Sequence, residues 1–166
     1  MEANMKSIVI YYSYEGNTKL IAEAISAAIG ADIQRLTLVK EMTYQGFRKY
    51  LWGGKQVFMK EKPKLEPLAY DLLDYDVIFL GTPVWSWTFA PAIRSLVESG
   101  LLHDKKVYFF CTHEGGLKNV EARSKALIEK RNTWLGFKDF MNVSKDKEAR
   151  TSEAASWAKS LNISEK

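Results

Sequence analysis

The sequence predicts an α/β fold: a parallel sheet of five strands with helices on both faces, in one domain spanning residues 1–166. Short apolar runs rich in β-branched residues recur along the chain, as strands buried on both faces do. Between them apolar residues recur at helical spacing. Three of the runs end in turns of small or hydroxyl-bearing residues, and no repeat, linker or low-complexity segment interrupts the alternation.

The first run, residues 8–12 (IVIYY), is a strand. A turn follows at Ser13, Tyr14, Glu15, Gly16, Asn17 and Thr18, and helical spacing begins at once with Ile21, Ala24, Ile25, Ala28 and Ile29. Strand, turn and helix aim backbone N–H groups, the positive end of the helix dipole and the side chains of Ser13, Asn17 and Thr18 at one point, which suits a phosphate. Neither a Walker lysine nor a GxGxxG fingerprint is present, so the turn suits a monophosphate held by neutral donors. The competing reading is an ordinary strand–helix turn with Asn17 as N-cap.

Residues 31–39 (ADIQRLTLV) alternate enough for a second strand. Tyr44, Phe47, Leu51, Gly54 and Phe58 then fall at helical spacing, in a stretch that also holds Tyr50, Trp52 and Gly53. The adjacent glycines cost such a helix roughly 2 kcal/mol relative to alanine. A loop with Pro63 and Pro67 follows. Residues 77–81 (VIFLG) form a third strand, ending in a loop of Thr82, Pro83, Val84, Trp85, Ser86, Trp87 and Thr88. Pro91 opens the next helix, where a proline is tolerated. Residues 107–111 (VYFFC) form a fourth strand and end in Thr112, His113, Glu114, Gly115 and Gly116. A helix through Leu117, Val120, Leu127 and Ile128, a weaker strand at 134–143 and a last helix from about Lys147 complete the alternation. That last helix places Ala154, Trp157, Ala158 and Leu161 on one face.

In a parallel sheet the loops after strands one, three and four emerge at the same carboxyl edge, and ligands bind there. The first loop offers donors for a phosphate. The second offers the indoles of Trp85 and Trp87, which can stack on a flat ring and exclude water. The third offers Gly115 and Gly116, where the backbone can approach such a ring closely. His113 and Glu114 read as solvated loop residues rather than catalysts, and Cys111 as a small strand-end residue rather than a nucleophile.

With Ser13, Gly16, Asn17 and Thr18 matching S/T-x-x-G-N/x-T after the first strand, the chain resembles the flavodoxins over nearly its whole length. The resemblance implies the flavodoxin-like three-layer α/β/α sandwich with strand order 2-1-3-4-5, for which flavodoxin is itself the standing example. It implies FMN as cofactor, with its phosphate in the first loop and its ring flanked by residues from Thr82 to Trp87 and from Thr112 to Gly116. It also implies an electron carrier moving one or two electrons between redox partners, with no catalytic acid or base and no metal. The alternative is an NAD(P)H-dependent FMN reductase acting on quinones or similar acceptors. Many members carry a glycine in the first ring loop whose peptide flips to stabilise the semiquinone. None lies between Thr82 and Thr88, and positive φ is poorly tolerated by other residues, so a persistent semiquinone is not expected.

Composition narrows the setting. With 166 residues, 46% hydrophobic and 27% charged, the chain reads as a soluble globular protein with no membrane span and no signal peptide. A single cysteine excludes an internal disulfide and a cysteine-rich metal site, and points to the cytoplasm. The net charge of +4 is unusual for a flavodoxin and equals the local excess at residues 40–66, seven basic against three acidic. That segment is a solvated face or a docking face for an acidic redox partner near the flavin edge. Nucleic acid is not expected, since the aromatic residues do not interleave with the basic ones. A response-regulator receiver would need acids after the first strand and an Asp after the third, and the chain has Tyr12-Ser13 and Gly81-Thr82. The Cys-x5-Arg of a small phosphatase fails at Leu117, and the GxSxG of an α/β-hydrolase is missing.

Overall fold

The computed structural model describes residues 4–41, 61–161 and 163. The expected helix with Tyr44, Phe47, Tyr50, Trp52, Gly53, Gly54 and Phe58 lies outside the described residues, as do Arg48, Lys49, Lys55 and Lys60 of the basic segment.

The strands are β1 (Ser7–Tyr11), β2 (Asp32–Arg35), β3 (Val77–Trp85), β4 (Thr88–Phe89), β5 (Lys106–His113) and β6 (Thr133–Met141). They lie in the order β2-β1-β3-β5-β6, every pair parallel, with β4 folded back antiparallel on β3. Without that two-residue hairpin strand the order is the expected 2-1-3-4-5. The helices described are α1 (Asn17–Ile29), α2 (Pro91–Glu98), α3 (Val120–Ile128) and α4 (Lys147–Ser160).

Alternation along the buried strands divides the core in two, because successive side chains point to opposite faces. Ile8, Ile10, Ile78, Leu80, Val107 and Phe109 meet Ala92, Ile93, Leu96 and Val97 of α2 and Leu127 and Ile128 of α3. Val9, Tyr11, Val77, Phe79, Phe110 and Phe140 meet Ile21, Ala22 and Ile25 of α1 and Ala154 and Ala158 of α4. The expected inner face of α4 is borne out, with Trp157 and Leu161 packed against the same cluster. Asp146 caps α4 by accepting the Ala149 N–H at 3.0 Å.

Several boundaries differ from expectation. β2 is shorter than residues 31–39 because β1 stops at Tyr11, whose partner is Arg35, and leaves nothing further to pair with. Leu38 instead bridges Leu65. β3 and β5 both run past their apolar cores: they pair with each other as far as Pro83 and Thr112, after which β4 pairs with β3 to Trp85 and β6 pairs with β5 to His113. Much of the expected second loop is therefore strand and tight hairpin, with Ser86 at φ 48° and Trp87 at φ 61°. The positive φ held to be unfavourable there is already adopted, by a pair of residues that are not glycine.

At the end of α2, Glu98 is held by Lys62 and by Arg94 Nη1 at 3.1 Å, and these cations, Lys62 foremost, lower its pKa. A depressed carboxylate stabilises the fold above its unfolded value of 4.5, and the contribution fades as pH falls through the lower folded value. Glu98→Gln should therefore cost about 0.5 kcal/mol at pH 7, given how exposed Lys62 is, and nothing once pH is well below that window. Thermal melts of both proteins at pH 7 and pH 3 check this, with a gap that persists at low pH as the contrary result.

Candidate functional site

A cleft of about 210 Å³ opens at the carboxyl edge of the sheet, lined by Ser13, Tyr14, Glu15, Asn17, Thr18, Pro83, Val84, Trp85, Thr112, His113, Glu114 and Val143. Eleven of these come from the three expected loops. The remaining predicted residues, Gly16, Thr82, Ser86, Trp87, Gly115 and Gly116, stand around the cleft without lining it.

The first loop is organised by Ser13. Its Oγ accepts the N–H groups of Gly16 and Lys19, each at 3.2 Å, and its hydroxyl proton remains available for donation. The N-cap is Gly16, with φ 97° and no side chain of its own, and in the first turn of α1 the Lys19 N–H is taken by Ser13. Asn17 is thus the first helical residue rather than the cap. Among the described residues the Asn17 and Thr18 N–H groups take no partner, so the positive end of α1 is left open where both residues border the cleft. Thr18 is buried, and its hydroxyl meets that of Thr112 at 2.8 Å, which ties the first loop to the third. Arg35 Nη2 donates to the Ser13 carbonyl at 3.1 Å, adding a cation beside a loop read from sequence as neutral.

The second segment divides its roles. The Thr82 hydroxyl is committed, accepting the Ala90 N–H at 2.9 Å and donating to the Pro83 carbonyl at 2.9 Å. Trp85 is only 7% exposed, packed edge-on against Tyr12 and Tyr14 at 5.6 and 6.0 Å between centroids. It is part of the core as well as the cleft wall, not the surface indole that a loop would present. Beside it the Tyr12 hydroxyl is buried with no hydrogen-bond partner among the described residues, and burial, with Glu41 and Tyr14 adding, pushes its pKa up to about 12. Trp87 sits at the hairpin tip, 41% exposed. Lys118 Nζ lies 4.2 Å from its ring centroid, and a Cβ on Gly116 would stand 3.3 Å from its Nε1.

The third segment overturns the reading of His113 as solvated. Its side chain is 6% exposed, with Nε2 2.9 Å from Asp139 Oδ2 on β6 and Nδ1 accepting the Gly115 N–H at 3.0 Å. The strand continues through His113, so the ring is fixed by the neighbouring strand instead of hanging in a loop. Cys111 is buried, and desolvation raises its pKa, which disfavours the thiolate that a nucleophile needs. Glu114 stays exposed, at 3.4 Å from the Ser144 hydroxyl.

Val143, Asp139 and Arg35 were missed from sequence. Val143 follows β6 at the same edge, so the rule that picked three loops extends to the fourth. Arg35 ends β2 level with Tyr11, which only the strand register discloses.

A family model described as flavodoxin matches residues 6–154. A search of curated proteins returns no match. Among solved structures, a Bacteroides uniformis protein named as a flavoprotein is 22% identical, covering 94% of this chain and 99% of its own at a TM-score of 0.79. A Lactobacillus acidophilus flavoprotein in complex with FMN is 22% identical, covering 87% and 97% at 0.67. The two-electron reduced Megasphaera elsdenii flavodoxin is 22% identical, covering 93% and 99% at 0.53. These likenesses establish the fold.

Proposed function

The chain belongs to the flavodoxin family, and on that premise we propose that it binds FMN and carries one or two electrons between redox partners. The observation that carries the reading is the open Asn17 and Thr18 N–H groups at the start of α1, which face with Ser13 into a cleft whose opposite walls are Trp85, Thr112 and His113. That arrangement has donors for a phosphate at one end and a largely fixed aromatic and backbone wall at the other. The FMN complex of the Lactobacillus acidophilus protein supports FMN as the ligand.

In this reading Ser13, Asn17 and Thr18 bind the phosphate, and the charge interacts favourably with the helix dipole. Pro83, Val84 and Trp85 on one side, with Thr112, His113 and Glu114 on the other, exclude water from the ring. Bound flavin supplies one- and two-electron chemistry, and the protein sets its environment and presents it to partners. No catalytic acid or base is required. The proposed partners are acidic redox proteins, drawn by the surplus of basic residues at 40–66. The proposed location is the cytoplasm, on the strength of the lone cysteine, Cys111. No helix among the described residues is long and apolar enough to cross a membrane.

The test is the visible spectrum of the protein after addition of FMN and desalting, followed by anaerobic mixing with NADH or NADPH. A retained flavin spectrum with slow reduction by either nucleotide is the expected result. Rapid reduction without a partner would instead establish the reductase acting on quinones or similar acceptors. A colourless protein would overturn FMN binding itself.

A further inference from the structure

We propose that His113 is a positioning residue: as the neutral imidazole held by Asp139 it anchors the turn after β5 through the Gly115 N–H, and so keeps the ring-side wall of the cleft in its binding form. The inference rests on the FMN reading for its consequence, but not for its geometry.

A backbone N–H can only donate, so the 3.0 Å contact from Gly115 requires an unprotonated Nδ1. The imidazole proton then sits on Nε2 and is donated to Asp139 Oδ2 at 2.9 Å. The His113 carbonyl accepts the Asn142 N–H at 2.8 Å, so one residue joins β6, the turn after β5 and the turn after β6. Gly115 stands at φ 126°, a conformation that a side chain would resist and that local contacts must hold. Next to it, Gly116 packs under Trp87, and Lys118 lies over the indole ring.

Without an acceptor at that position the Gly115 N–H has no partner in the turn, and the support that Gly116 gives Trp87 is lost with it.

The experiment compares the FMN dissociation constants of the wild type, His113→Asn and His113→Leu at a single pH. Asparagine places Oδ1 where Nδ1 stands, whereas leucine supplies no acceptor. The Leu variant should bind FMN about tenfold more weakly than the Asn variant, the equivalent of one lost hydrogen bond, and the Asn variant should stay close to the wild type. Equal constants for the two variants overturn the proposal. A second readout needs no flavin: in the cofactor-free protein the Gly115 amide hydrogen should exchange with solvent faster in the Leu variant than in the wild type or the Asn variant, and unchanged exchange overturns it as well. If neither the wild type nor any variant binds FMN, the carrier reading has failed, and the amide exchange still decides the role of His113.

Discussion

Replacing Asn17 and Thr18 together by alanine is expected to strip FMN from the protein during desalting. Both residues border the cleft at the open start of α1. A hydrogen bond to a charged group contributes about 1.5–3 kcal/mol, so two lost side-chain donors amount to about 3–6 kcal/mol, or roughly 10²- to 10⁴-fold in Kd. Thr18 has a second role, because its hydroxyl meets Thr112 at 2.8 Å in a buried contact. Thr112→Val separates the two. It removes the bridge between loops and leaves the Thr18 hydroxyl in place, so it should weaken FMN far less than the double variant while lowering Tm. Fluorescence titration of FMN, with a thermal melt of each variant, reads both quantities. A double variant that melts normally and binds FMN as the wild type does would remove the phosphate from this loop.

The sheet was legible because buried parallel strands leave long apolar runs, and their order follows once the family is seen. Residues that meet only through strand register were not legible. Asp139 reaches His113 diagonally across the pairing of β5 and β6, where it stands level with Cys111, two residues earlier, and nothing near either residue in sequence announces the pair. Trp85 and Trp87 show a subtler failure. Their spacing suggests a pair of exposed indoles, but Trp85 packs into the core against Tyr12 and Tyr14, and only Trp87 stays at the surface. The hairpin between them was hidden for a chemical reason. A tight turn with φ positive at both central residues normally announces itself by Asn-Gly or Asp-Gly, and here the positions are held by Ser86 and Trp87. Left-handed conformations at such residues cost on the order of 1 kcal/mol each. The contacts of Trp87 with Gly116 and Lys118 contribute to offsetting that cost in the folded chain.

Gly81→Ala should be among the most destabilising small substitutions in this protein, although it adds one methyl group. Gly81 lies on β3 level with Phe110 of β5. A Cβ there would stand 2.1 Å from Phe110 Cζ and 2.4 Å from Cε2. Phe110 is fully buried among Phe79, Phe140 and the inner faces of α1 and α4, so its ring has nowhere to retreat. Overpacking of this kind costs about 1–3 kcal/mol and sometimes more. With a rigid aromatic ring as the obstacle, the upper end, about 3 kcal/mol, is expected, which lowers Tm by about 6–12 °C for a domain of this size. Phe110→Leu in the same chain supplies the control. Alone it should cost stability by leaving a cavity, but combined with Gly81→Ala it removes the obstacle, and the two losses should fall short of their sum by about 1–3 kcal/mol. Additive losses in the double-mutant cycle would mean that the glycine serves the backbone path into Thr82 and not the space for Phe110.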